Sequence, residues 1–300
     1  MSKVNYISVE EASQKWQISE RSVRNYCAQG RVEGALLEGK TWKIPSTAEK
    51  PDRKPRHSSA EETLLAFLKR EKDAGLKGGI YHKIQIDLTY NSNHIEGSKL
   101  THDQTRYIFE TKTIGVTDKA VKVDDIVETV NHFRCIDLVI EGANTKLTES
   151  FIKQLHFILK SGTTDSQKSW FKVGDYKILE NEVGGSETTK PAEVAGAIKV
   201  LLKEYNSKSK ITFDDILDFH VRFESIHPFQ DGNGRVGRLI MFKECLKHNI
   251  VPFIITEELK MYYYRGIKNW KTERGFLRDT CFTGQDAMKT TLDYFGIKYE

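Results

Sequence analysis

A chain of 300 residues with 38% hydrophobic and 29% charged residues has the composition of a soluble globular protein. No stretch approaches the roughly 18 consecutive apolar residues that span a bilayer, and the first residues lack the apolar segment of a secretory signal. These features exclude a membrane-spanning class and predict a cytoplasmic protein. The net charge of +4 is carried by residues 1–60, which hold 11 basic and 7 acidic residues, so any nucleic-acid surface is expected there.

Cysteine usage agrees with a cytoplasmic location. The four cysteines lie far apart, form no C-x-x-C pair and have no histidine at metal-ligand spacing. They are Cys27, Cys135, Cys245 and Cys281. The pattern predicts buried thiols in a reducing compartment.

Residues 1–46 have the pattern of a small autonomous unit. Ser8 and Glu11 form a capping box ahead of a first helix, and Ser19 can cap a second helix, ERSVRNYCAQG. Two short strand-like runs around residues 38–40 then predict a hairpin. Two helices and a hairpin of this size resemble the winged helix-turn-helix of the excisionase and MerR-like families.

That resemblance implies a DNA-binding surface on the second helix and the hairpin. Arg21, Arg24 and Lys40 would then lie near phosphates. A helix-turn-helix used only for packing or protein contact is the alternative, and the modest local charge leaves both open.

Residues 47–60 form a linker, because they combine prolines and dense charge with no apolar residue beyond alanine. The remaining chain follows helical periodicity, except for Trp170 to Gly185, where aromatic and β-branched residues between glycines predict a hairpin. The expected fold is mainly α. These patterns predict a winged helix-turn-helix at 1–46, a linker at 47–60 and a helical region that begins at residue 61. The family resemblance of the motif at 227–238 implies that this helical region divides into 61–146, a core at 147–284 and a tail at 285–300.

The stretch HPFQDGNGRVGR, residues 227–238, is too poor in apolar side chains for a core and too rich in glycine for mid-helix. Thr212 and Asp215 predict the start of the helix before it, which Pro228 ends, and an apolar helix follows it. The stretch is therefore a loop that joins two helices.

The backbone of this loop suits an anion. Gly232 and Gly234 permit positive φ and a close approach to a ligand. Their N–H groups and the dipole of the following helix together form a phosphate site. Arg235 and Arg238, three residues apart, are expected to share a face and add bidentate donors.

Two further side chains complete a site for phosphoryl or nucleotidyl transfer. Asp231 is a hard oxygen ligand suited to Mg²⁺ on a polyphosphate. His227 can accept a proton from a hydroxyl at neutral pH.

The same twelve residues match, without departure, the signature H-P-F-x-[DE]-G-N-G-R-x-x-R of Fic (Fido) domains, and the similarity extends over about residues 147–284. The resemblance implies an all-helical core with one β-hairpin flap that transfers AMP from ATP, with Mg²⁺, to a Ser, Thr or Tyr hydroxyl of a target protein. The implied roles are His227 as general base, Phe229 as apolar anchor, Asp231 as Mg²⁺ ligand, Gly232, Asn233, Gly234 and Arg235 as the α/β-phosphate nest, and Arg238 as γ-phosphate ligand.

A second motif lies upstream. SNHIEG, residues 92–97, matches the inhibitory motif [ST]-x-x-x-E-[GN] of many Fic proteins, and its spacing puts Ser92 and Glu96 on one helical face. The resemblance implies a Glu96–Arg238 ion pair that blocks the γ-phosphate position. A tyrosine cluster at 262–264 falls where relatives contact the nucleotide base, and Tyr263 represents it among the candidate binding residues.

The favoured function is therefore an autoinhibited protein adenylyltransferase that modifies a target protein or itself. One alternative is the same site acting with another nucleotide or removing AMP. The other is a DNA-binding regulator with a nucleotide-sensing Fic core, and a homodimer is a further open prediction.

Overall fold

The computed structural model forms two compact units that divide after residue 60. It describes residues 5–28, 30–39, 41–51, 62–115 and 120–299. Lys40 and most of the predicted linker lie outside the described residues.

The first unit packs two helices against a three-stranded antiparallel sheet of order β1-β3-β2. Its elements are β1 (Tyr6–Ile7), α1 (Val9–Trp16), α2 (Glu20–Ala28), β2 (Leu36–Glu38) and β3 (Thr41–Pro45). Both predicted helices and the predicted hairpin are present. β1 was missed, because a two-residue strand has no readable alternation and is defined only by its pairing with β3.

The second unit is helical apart from one short hairpin, so the predicted mainly α fold is confirmed. Its elements are α3 (Leu64–Asp73), α4 (Ile80–Ile95), α5 (His102–Thr111), α6 (Val123–Gly142), α7 (Glu149–Lys160), β4 (Glu182–Val183), β5 (Ser186–Glu187), α8 (Pro191–Asn206), α9 (Phe213–Ile226), α10 (Asn233–Lys247), α11 (Glu257–Asn269) and α12 (Gly275–Phe295).

The predicted capping boxes are confirmed in both units. Ser8 Oγ accepts a hydrogen bond from the Glu11 N–H at 3.1 Å, and the Glu11 carboxylate accepts one from the Ser8 N–H at 2.7 Å. Thr212 opens α9 in the same reciprocal way with Asp215. These local signals fix where the helices start.

The centre of the second unit is α10, which packs against α3, α4, α6, α7 and α9. Nearly all of its residues are buried, including polar ones. Lys243 shows how such a residue is accommodated, since its ammonium group donates to the carbonyls of Ala143 and Thr145 and lies 2.8 Å from Glu244. A helix buried on every side holds its N-terminus rigidly, and that end carries the glycine-rich loop.

The hairpin predicted over Trp170–Gly185 is wrong in extent. Only Glu182–Val183 pairs with Ser186–Glu187, and the chain before it makes turns without strands. The backbone of that segment bonds elsewhere, as when the Lys177 N–H donates to the Pro228 carbonyl at 2.9 Å. The aromatic residues that suggested strands include Phe171 and Tyr176, which are buried as packing groups instead.

None of the helices in the described segments combines the length and the apolar character that crossing a bilayer requires.

Candidate active site

The loop between α9 and α10 begins with a reversal of the chain at His227. This residue ends α9 in the left-handed region, with φ of 49°, while its N–H still donates to the Phe223 carbonyl. Phe229 follows, fully buried and stacked on His156 with ring centroids 3.9 Å apart. The loop is thereby anchored in the core by Phe229, and His227 is left half-buried at its edge.

Asn233 holds this loop in shape from inside α10. Its side-chain oxygen accepts from the Phe229 N–H, and its amide nitrogen donates to the Phe229 carbonyl, both at 2.8 Å. Because the side chain is 1% exposed and committed to these bonds, only the Asn233 backbone is available to a phosphate.

The N-terminus of α10 presents free N–H groups. Gly232 caps the helix with φ of 83°, and the first helical hydrogen bond runs from the Val236 N–H to the Gly232 carbonyl. The N–H groups of Asn233, Gly234 and Arg235 precede that bond, so the helix itself provides no acceptor for them. This is the geometry of an anion site.

Gly234 differs from the expectation that it adopts positive φ. It is helical, and only Gly232 of the two glycines is left-handed. A Cβ at Gly234 would lie 3.0 Å from Arg238 Nη1 and 3.2 Å from Glu96 Cδ. The glycine is required by the close packing of that ion pair, not by the backbone angle.

The predicted ion pair between Glu96 and Arg238 is present. Arg238 Nη2 lies 2.7 Å from Glu96 Oε1 and 2.9 Å from the Ser92 carbonyl, and Nε donates to Ser92 Oγ at 3.0 Å. Burial acts to lower the pKa of Arg238, but the Glu96 charge outweighs it and the pKa is raised. The C-terminal end of α4 therefore occupies the donor groups of this arginine.

Arg235 turns to a different set of partners, so the two arginines do not present one shared face. Its Nη1 bonds to Glu128 on α6, and its Nη2 lies 3.3 Å from Asp231 Oδ2. The side chain is 4% exposed. In this conformation the Arg235 guanidinium bonds to Asp231, and only the backbone N–H of Arg235 faces the anion site.

Asp231 is also held by Lys160, which sequence reasoning missed. Lys160 Nζ lies 2.5 Å from Asp231 Oδ2 and 2.5 Å from Glu128 Oε1. Burial acts to raise the pKa of Asp231, but Arg235 and Lys160 outweigh it and hold the pKa below its usual range. Sequence spacing alone can indicate a pair between Asp231 and Arg235, which are four residues apart. It cannot indicate Lys160 and Glu128, because these come from distant helices.

The electrostatic setting of His227 keeps its ring neutral. Burial, reinforced by the nearby Lys177 charge, lowers the pKa of His227 to about 4. The imidazole is therefore a proton acceptor at neutral pH, as a general base requires.

Lys177 is a second group that the sequence did not single out. Its Nζ lies 2.6 Å from Asn181 Oδ1 and 2.6 Å from Thr188 Oγ1, and 3.5 Å from the Ile226 carbonyl. Burial lowers its pKa to about 8. It ties the hairpin to the end of α9, next to His227.

Glu224 lies one helical turn before His227, and its role was also not predicted. Burial, reinforced by the Glu96 charge, raises the pKa of Glu224 to about 8. Its Oε1 is buried without a hydrogen-bond partner in the described part of the chain. The raised pKa favours the protonated form of Glu224 beside the Glu96–Arg238 pair.

Tyr263, the predicted nucleotide contact, is buried. Its side chain is 1% exposed, and its hydroxyl lies 2.5 Å from His220 Nε2 and interacts with Arg238. The neighbouring Tyr264 is 40% exposed. The sequence could not separate the two, because adjacent helical residues differ only in which side the tertiary packing covers.

The N-terminal candidates are on the surface of their own unit. Arg21 and Arg24 are exposed on α2, and Arg24 pairs with Glu20 at 2.6 Å. Lys40 lies outside the described residues, so the structure adds nothing to its predicted role.

The acidic residues at the loop fit a metal only together with a nucleotide. No group of three or more His, Cys, Asp or Glu side chains comes together within the described ranges. Asp231 alone, with a side chain 47% exposed, matches the way Mg²⁺ binds through one or two carboxylates and substrate phosphates. The residues present fit a metal that is shared with a polyphosphate.

The comparison with known proteins agrees with this geometry. The model of the Fic/DOC family matches residues 146–245, which span α7 to most of α10. This region is similar to Fic domains. The match ends before α11 and α12, so the predicted extent of 147–284 stays a prediction.

Curated proteins similar to this chain carry the name protein adenylyltransferase Fic. The relative from Aedes aegypti is 27% identical over 244 residues, covering 79% of this chain and 45% of the relative. The relative from Drosophila melanogaster is 27% identical over 214 residues, covering 69% of this chain and 41% of the relative. The chain thus spans less than half the length of these relatives.

Solved structures share the fold. A Fic domain-containing signaling protein from Bacteroides thetaiotaomicron is 26% identical with a TM-score of 0.57, covering 77% of this chain and 90% of that one. Fic-1 from C. elegans, residues 134–508, has a TM-score of 0.58 at 18% identity, covering 77% of this chain and 72% of that one. The second likeness supports the fold alone.

Proposed function

We propose that the chain is a protein adenylyltransferase that moves AMP from ATP to a hydroxyl group of a target protein or of itself. The observation that carries the proposal is the free N-terminus of α10 next to the neutral imidazole of His227. An anion site beside a base is what a hydroxyl needs to attack a phosphate ester.

The proposed reaction follows from these positions. His227 would take the proton of the target hydroxyl as its oxygen bonds to the α-phosphorus of ATP, and the bond from the α-phosphorus to pyrophosphate would break. The N–H groups of Asn233, Gly234 and Arg235 would hold the α- and β-phosphate oxygens. Asp231 would hold Mg²⁺, whose charge would offset the negative charge that develops on the departing pyrophosphate.

Glu96 is proposed to restrain this reaction. It takes the Arg238 donors that a γ-phosphate would need, and its carboxylate lies next to Gly234, where a Cβ of residue 234 would clash with it. Like charge next to a triphosphate is unfavourable, so the productive position of ATP is disfavoured while Glu96 stays.

The test is incubation with Mg²⁺ and ATP labelled at the α-phosphate. We expect faint labelling of the wild type, strong self-labelling of Glu96→Gly, and none of Glu96→Gly/His227→Ala. An unlabelled Glu96→Gly variant that still binds ATP would contradict self-adenylylation. Other nucleotides, a cell extract and a pre-adenylylated target then separate a different donor, an external target and AMP removal.

For residues 1–46 we propose binding to duplex DNA through α2. The exposure of Arg21 and Arg24 supports it, together with the resemblance to winged helix-turn-helix proteins. Affinity for a duplex measured across a salt series should fall in Arg21→Ala/Arg24→Ala, with a smaller salt dependence. Equal affinities in both proteins would contradict the proposal.

We further propose a cytoplasmic location and leave self-association as a prediction. All four cysteines are free and buried, as in a reducing compartment. Light scattering over a concentration series tests for a homodimer, and a mass that stays at 34.5 kDa would contradict it.

A further inference from the structure

Lys160 is the last residue of α7, and its ammonium group is buried at the base of the motif loop, residues 227–238. Its side chain is 2% exposed, and its Nζ lies 2.5 Å from both Asp231 and Glu128, with Asp165 farther away at 3.6 Å. Arg235 bonds to the same two nearer carboxylates. Two buried cations therefore face two carboxylates, and the four charges balance.

This balance bears on Asp231 as a metal ligand. Both cations bond to its Oδ2, which leaves Oδ1 free of them on a half-exposed side chain. A divalent cation arriving at Oδ1 would meet a carboxylate whose charge is already offset, with the Lys160 charge only a few ångströms farther in. Repulsion at that distance in a partly buried site opposes binding of the ion by itself.

Glu128 can keep both buried cations paired when Asp231 changes its orientation. It lies on α6, is 14% exposed and contacts Lys160 and Arg235 at once. If Asp231 turns toward a metal, both cations keep one carboxylate partner. Neither buried cation is then left unpaired. An unpaired buried cation would be strongly disfavoured.

We propose that Lys160 makes metal binding at Asp231 conditional on nucleotide. In the nucleotide-free protein, Lys160 and Arg235 supply the positive charge at Asp231 and exclude a divalent cation. A triphosphate at the N-terminus of α10 adds negative charge beside Oδ1, and the metal then binds between the phosphates and Asp231. The inference rests on the proposed function, in which Asp231 is the Mg²⁺ ligand, and makes Lys160 a positioning residue.

The experiment measures Mn²⁺ binding by electron paramagnetic resonance in the full chain carrying Glu96→Gly. Three proteins are compared with and without an α,β-methylene analogue of ATP: the parent, Lys160→Met and the control Lys168→Met, whose exposed lysine bonds to Asp165 instead. Without the analogue, Lys160→Met should bind Mn²⁺ at least about tenfold tighter than the other two. Adding Asp231→Asn should remove that gain.

Glu128→Gln is expected to change Mn²⁺ binding in the opposite direction. It also tests the proposal if Lys160→Met does not fold. It leaves both cations dependent on Asp231, so Mn²⁺ binding with the analogue should weaken by about tenfold. Thermal unfolding of each variant identifies those that are folded. Equal Mn²⁺ affinities of parent and folded Lys160→Met, or tight binding by the nucleotide-free parent, would overturn the inference.

Failure of the proposed function is distinguishable from failure of this inference. A chain that shows the expected Mn²⁺ pattern but transfers no labelled AMP supports the role of Lys160 and contradicts only the transfer. A chain that binds no Mn²⁺ even with the analogue removes Asp231 as the ligand and overturns both.

Discussion

At the scale of single residues, the two motif arginines of α10 bond to different parts of the second unit. Arg238 bonds to Ser92 and Glu96 on α4, whereas Arg235 bonds to Glu128 and Asp231. Both guanidinium groups are buried and paired with carboxylates. The charges of the two guanidinium groups are therefore balanced by carboxylates of the chain itself.

Asn233 carries a stability prediction at this scale. Asn233→Ala removes both bonds to the buried Phe229 backbone and should lower the free energy of unfolding by about 2–4 kcal/mol, because two buried polar groups lose their partners. Asn233→Asp keeps the acceptor and loses the donor, so a smaller loss is expected unless its charge is costly to bury. Urea denaturation measures the stability of both variants. An Asn233→Ala variant as stable as the wild type would refute the role of the two Asn233–Phe229 hydrogen bonds.

At the scale of elements, the short hairpin and the motif loop behave as one structure. Lys177 links Asn181 and Thr188 at the hairpin to the Ile226 carbonyl at the end of α9. Asn181 also donates to the Phe229 carbonyl at 3.2 Å. The hairpin is therefore held against the proposed base by side-chain bonds, not by a long strand ladder.

Lys177→Met should loosen this link and change the titration of His227. With the Lys177 charge gone, the pKa of His227 rises from about 4, so the acid limb of labelling by Glu96→Gly should move to higher pH. Backbone amides of the hairpin should also exchange hydrogen faster. Lys172→Met, at an exposed neighbour, is the control, and coincident pH profiles of all three proteins would contradict the coupling.

At the scale of the whole molecule, the second unit buries several neutral histidines around α10. Burial lowers the pKa of His132, His156 and His220 to about 3 and that of His227 to about 4, from an ordinary 6.5. Between these values the unfolded chain holds more protons than the folded one. The stability they confer is complete above pH 6.5 and is lost as pH falls toward 3.

The expected result is acid sensitivity well above the pH at which most carboxylates protonate. The free energy of unfolding should fall by at least about 2 kcal/mol from pH 7 to pH 5, even though the raised pKa of Glu224 acts in the opposite direction. His132→Asn should make the decline shallower, because it removes one of the buried neutral histidines. Denaturation curves at several pH values test this, and a stability that is flat from pH 7 to pH 5 would contradict it.

The sequence by itself determined the helical fold, the capped helix starts and the chemistry of the loop, because these depend on local signals. Periodicity, capping boxes and the glycine-rich motif each act within a few residues, and the Glu96–Arg238 pair was accessible through the resemblance of two motifs. Only the tertiary structure decided which side chains meet from distant helices. Packing brings Lys160, Glu128 and Lys177 to the loop and buries Tyr263 beside Arg238. A contact across 70 or 100 residues leaves no pattern along the chain.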